Sequence, residues 1–78
     1  MSTKLQQIRQ EKGLSQAELS ARSGVSKRLL QDYEQGQKPI NHARAITVFL
    51  LSRVLGCAME DLIEVQNGQD PEKKFAEM

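Results

Sequence analysis

Residues Gln16 to Gln35 read QAELSARSGVSKRLLQDYEQ, two short helical patterns separated by a break with a single glycine. No other stretch narrows the fold as far. Leu19, Val25, Leu30 and Tyr33 are apolar where two helices crossing at a steep angle must touch, and Ser20 is small where the second helix presses on the first. Gly24 stands at the corner, where a positive φ suits glycine and strains residues that carry a Cβ. Ser26 is placed to cap the second helix by accepting from an amide of its first turn. That helix opens on Lys27 and Arg28, so its N-terminus carries two cations at the tip.

The pattern extends both ways. Helix one is predicted from Thr3 or Lys4 to Glu11, with Leu5 and Ile8 inward, and stops at Gly13. Helix two starts after Ser15, which forms a capping-box pattern with Glu18, and runs to about Ser23. Helix three spans Lys27 to Gln35 and ends at Gly36. In the loop GQKPIN, Pro39 biases Lys38 away from helix and Asn41 is placed to cap the next helix. Helix four covers Arg44 to Leu55, and a short fifth helix is expected from Met59 to Glu64. Beyond Val65 the pattern dissolves into QNGQDPEKKFAEM, so a domain of residues 1–65 is expected, with 66–78 as a flexible tail that Phe75 would anchor. No strand pattern or internal repeat is evident.

Seventy-eight residues make one domain, with no room for a separate ligand-binding or catalytic module. Tyr33, Phe49 and Phe75 are the only aromatics, so the core must be aliphatic. A lone cysteine, Cys57, cannot form an internal disulfide and points to a reducing cytoplasm. No apolar run approaches the ~20 residues of a membrane span, and no signal-peptide pattern opens the chain. Net charge is only +1, but its distribution is uneven. Through Arg53 there are nine Lys or Arg against four Asp or Glu; from Val54 onward there are two against six. The basic part coincides with the cationic helix tip, and such segregation is the footprint that DNA binding requires.

Upstream of the corner stands LQQIRQEKGLSQAELS, and downstream YEQGQKPIN and LLSRVLGCAMEDLIE. Together these resemble the helix-turn-helix domains of phage repressors and Cro proteins, the xenobiotic-response-element-like family, over about residues 3 to 65. The resemblance implies an all-α, compact five-helix domain of the lambda-repressor type. It also implies sequence-specific binding to double-stranded DNA and regulation of transcription, repression above activation. In the family an arginine near the end of helix one pairs with a glutamate near the end of helix three; Arg9 and Glu34 occupy those positions here. The first, second and sixth residues of helix three commonly touch bases in relatives, which here are Lys27, Arg28 and Asp32. Relatives use a glutamine at the position of Gln16 to hold a backbone phosphate.

Side-chain chemistry fills in the rest. Lys and Arg donate to guanine O6 and N7, and Gln31 suits adenine. Asp32 either accepts from the amino group of cytosine or pairs with Arg28, four residues back, to hold it in place. Leu29 touches a thymine methyl or packs at the helix edge. Ser26, Gln35, Lys38 and Arg44 join Gln16 as candidates for phosphate.

One such module on DNA binds weakly, so a homodimer on half-sites about 34 Å apart is expected. Val48, Leu51 and Leu55 form the inward stripe of helix four, beside Val54, while Ile46, Phe49 and Leu50 form a second apolar set. That second set is a candidate dimer surface, or else one or two of its members close over helix five within the monomer. Catalysis finds little support: His42 has no nearby nucleophile, Cys57 lacks companion ligands for zinc, and Met59 reads as core filler. No cofactor is expected. The rival to DNA binding is a protein-binding module built on the same scaffold, such as an antitoxin or accessory regulator.

Overall fold

The computed structural model describes residues 3–64. Four α-helices succeed one another, α1 (Lys4–Glu11), α2 (Gln16–Ser23), α3 (Lys27–Gln35) and α4 (Ala45–Leu55), with 3-10 turns at Ile40–His42 and Met59–Asp61. No strand occurs among the described residues, and no helix there is long and apolar enough to cross a membrane.

The first three helices begin on side-chain caps. Thr3 Oγ1 accepts from the Gln6 amide at 3.2 Å, and Ser26 Oγ accepts from the Leu29 amide at 3.1 Å. The capping box of α2 is complete: Ser15 Oγ accepts from the Glu18 amide at 3.0 Å, and Glu18 Oε1 accepts from the Ser15 amide at 3.2 Å. At the corner Gly24 has φ 80°, in the left-handed region. A Cβ built there would meet nothing within 4 Å, so the backbone angle, not crowding, requires glycine.

The second helix is the hub, packing against both α3 and α4 while α1 rests on α3. Leu5, Leu19, Val25, Leu30, Tyr33, Val48, Leu51 and Leu55 are buried as their spacing predicts, with Ile8 and Val54 partly buried against them. Ile40 and Leu62 complete the core from the turns.

Three expectations are corrected. The fifth helix is only the turn Met59–Asp61, held by bonds between residues three apart, such as Leu62 N to Met59 O at 3.0 Å. It stops because the Glu64 amide, which a continuing helix would direct back to Glu60, donates instead to Asn41 Oδ1 at 2.8 Å. Asn41 therefore does not cap helix four; it lies in the first 3-10 turn and also donates to the Glu64 carbonyl at 2.7 Å. The fourth helix begins one residue later than expected, with Arg44 at its N-cap and no side-chain acceptor there. The tail from 66 to 78 and its Phe75 lie outside the described residues.

Candidate nucleic-acid interface

The third helix has a sharply two-sided character. Leu30, Tyr33 and Glu34 are buried on its inner side, and with Val25 locked at the corner the helix has one rotational setting. That setting leaves Lys27 and Arg28 exposed in the first turn, the Arg28 side chain 86% exposed. Gln31 is half-buried one turn further on, and Leu29 is half-buried against the core.

Asp32 differs from its neighbours. Its side chain is only 16% exposed, and its two carboxylate oxygens face different cations: Oδ1 lies 3.7 Å from Arg28 Nε, and Oδ2 lies 3.7 Å from Lys38 Nζ. Of the two readings left open for Asp32, the pairing with Arg28 is thus present in the structure, and Lys38 adds a second partner. Lys38 arrives there because Gly36, at φ 78°, ends the helix in a left-handed turn. The turn directs the amides of Gln37 and Lys38 back to the Asp32 carbonyl at 2.8 and 3.2 Å. The glycine after helix three was the sequence signal for this return; what it brings to Asp32 depends on the length of the lysine two residues on.

Beneath the far end of α3 lies a buried polar junction. Arg9 donates from Nε and Nη2 to the two carboxylate oxygens of Glu34 at 2.8 and 2.9 Å, and from Nη1 to the Leu14 carbonyl at 2.7 Å. Glu34 Oε1 also accepts from Gln16 Nε2 at 3.1 Å. Gln16 therefore stands at the start of α2 with one amide hydrogen engaged and its orientation set from below. Sequence spacing pairs Arg9 with Glu34 only through the resemblance, and carries no signal for Gln16 as the third member. The bond from Glu34, ahead of the opposing effect of burial, raises the Arg9 pKa above its ordinary value.

The remaining candidates lie around this core of contacts. Ser26 Oγ serves as the cap of α3, so its own hydroxyl hydrogen is what it has to donate outward. Gln35 and Lys38 are exposed around the end of α3, and Arg44 is exposed at the start of α4. On α4, Ile46 and Phe49 are 57% and 40% exposed and Leu50 is half-buried. Arg53 Cζ stands 5.6 Å from the centroid of the Phe49 ring, in cation–π range.

Comparison with known proteins adds two sequence similarities to this geometry. The profile of the helix-turn-helix family matches residues 5–62, which run from the first helix to the last turn. Over 56 residues the chain is 38% identical to an uncharacterized HTH-type transcriptional regulator of Sinorhizobium fredii, a stretch that spans 72% of this chain and 69% of the relative.

Proposed function

The chain belongs to the Cro/C1-type helix-turn-helix family of DNA-binding proteins, and on that premise we propose that it is a sequence-specific, non-enzymatic repressor of transcription. In this reading α3 enters the major groove of the duplex. The observation that carries it is the exposure of Lys27 and Arg28 in the first turn of a helix whose opposite side is locked into the core. Lys27 and Arg28 donate to guanine, and Gln31 pairs with adenine. Gln16, Ser26, Gln35, Lys38 and Arg44 grip phosphates, which fixes register without reading sequence. Residues 1–65 form the binding domain.

A single copy would bury too little surface for a useful preference between sites. We propose that two copies associate through Ile46, Phe49 and Leu50 of α4 and place their third helices on half-sites about 34 Å apart. The relative named as a transcriptional regulator supports assigning regulation to this chain as well.

Selection of bound sequences from a random duplex pool tests the proposal, since it returns half-site, spacing and symmetry together. Titrating salt completes it. A subunit that contacts about five phosphates loses affinity with a log–log slope near −4 to −5. Absence of duplex affinity at every salt concentration would instead favour the protein-binding module.

A further inference from the structure

We propose that Asp32 is a positioning residue for recognition: it holds Arg28 and Lys38 in register with each other and reads no base itself. The inference rests on the DNA-binding reading above and assigns the source of its specificity.

Three observations converge on Asp32. Each carboxylate oxygen has its own cation, Arg28 on one side and Lys38 on the other. The acid is largely covered while its partners are open to solvent, 86% exposed for the Arg28 side chain and 61% for that of Lys38. The backbone of the same residue collects the loop, because its carbonyl accepts from the amides of Gln37 and Lys38. Lys38 is therefore delivered by main-chain geometry as well as by its own charge.

These contacts matter for orientation more than for stability. Ion pairs at 3.7 Å whose cation is open to solvent contribute little to folding. The atom of Arg28 in the pair with Asp32 is Nε, however, so Nη1 and Nη2 are the donors we assign to the base. Two parallel donors on one edge are what guanine O6 and N7 require. The two oxygens of Asp32 that would have to accept from a cytosine amino group each face a cation at 3.7 Å instead. The arrangement also makes an acid tolerable beside a polyanion, since its charge is met on both sides. Arg28 carries the base reading and Lys38 a phosphate, so a shared counter-ion ties the reading group to the gripping group.

The test compares wild-type protein, D32N and R28A by selection from a random duplex pool. Both variants are expected to lose preference at the same base pair, D32N by about threefold to tenfold and R28A more completely. D32N should also bind random duplex more tightly than wild type, because a negative charge beside phosphate is gone. Loss of preference in D32N at a pair that R28A still reads would show Asp32 contacting a base directly, and would overturn the proposal. An unchanged D32N profile would overturn it as well.

A second measurement needs no DNA. The Nε–Hε heteronuclear NOE of Arg28 in the free protein should fall in D32N and be retained in D32E. Equal values in wild type and D32N would remove the clamp. A wild-type protein that selects no sequence overturns the DNA-binding reading and this role with it, whereas the NMR signal isolates failure of the clamp alone.

Discussion

Arg9 and Glu34, 25 residues apart in the chain, meet in a bidentate ion pair that fixes the end of α3 to α1. Their side chains are 11% and 2% exposed, so neither charge has water to fall back on. Arg9→Ala or Glu34→Ala alone should cost about 3–5 kcal/mol, because each leaves the other buried and unpaired. Replacing both, Arg9→Met with Glu34→Leu, should cost less than either single change. Urea unfolding of the three variants measures this; a single variant with the wild-type midpoint would contradict it. Since the Arg9 pKa is raised in the folded state, its contribution is complete below the ordinary arginine range and is lost only above it. The part of the Glu34→Ala deficit that comes from Arg9 should therefore be the same at pH 6 and pH 9.

Asn41 and Glu64 form a second long-range clasp. Besides the two bonds between the Asn41 side chain and the Glu64 backbone, Glu64 Oε1 accepts from the Lys4 amide at 2.7 Å, joining the first helix to the last described residue. Asn41→Ala should lower stability by about 1–2 kcal/mol, in line with two modest hydrogen bonds. A chain ending after Val65 should keep its helical circular dichroism and its urea midpoint. One ending after Asp61 should unfold, because it loses both the clasp and the fully buried Leu62.

What could be read from the chain was local and periodic. The bounds of α1 to α3 follow from Thr3, Ser15, Ser26 and the glycines after each helix, and the core positions of α4 follow from spacing alone. The fifth helix failed for a physical reason: Met59 to Glu64 has helical spacing, but the Glu64 amide is captured by Asn41, 23 residues earlier. No local pattern encodes that competition. The same limit applies to the interface. Exposure of Lys27 and Arg28 was legible from the stripe of Leu30 and Tyr33, whereas Lys38 over Asp32 and Gln16 on Glu34 depend on how loops return in three dimensions.

Arg28 and Gln16 should separate by the kind of binding they support. Arg28→Ala removes the proposed base contact and should weaken binding to the selected duplex by about 1–3 kcal/mol, with a smaller loss on random duplex. Gln16→Ala removes the proposed phosphate contact, together with the bond to Glu34, and should weaken both duplexes alike. Fluorescence anisotropy on the two duplexes at one salt concentration decides it. Equal losses for Arg28→Ala would withdraw it from the reading surface.

Cys57 should be a slow nucleophile at neutral pH. Burial, then the nearby charge of Asp61, pushes its thiol pKa up. Alkylation by iodoacetamide should therefore be slower in the folded protein than in urea, and should accelerate at a higher pH than for an unfolded thiol. The stability linked to this group is complete below the ordinary thiol range and is lost as pH rises through the raised folded value. Cys57→Ala should remove that part of the alkaline decline. Identical alkylation profiles with and without urea would contradict the burial argument.

Phe49 tests the proposed pairing of subunits. Ile46 and Phe49 do not close over the final turn, since both remain exposed while Val48, Leu51 and Leu55 on the inner face are buried. An aromatic ring with Arg53 stacked over it has the composition of an interface anchor. Phe49→Glu replaces that anchor with a charge and leaves the inner face untouched, so helical circular dichroism should be unchanged. On the proposed pairing, sedimentation equilibrium should then find the wild type as a dimer and Phe49→Glu as a monomer. Affinity for a two-half-site duplex should fall at least about tenfold while affinity for one half-site is retained, because the second contact is no longer intramolecular. A folded Phe49→Glu protein that still sediments as a dimer would exclude this face, and pairing would have to run through another surface.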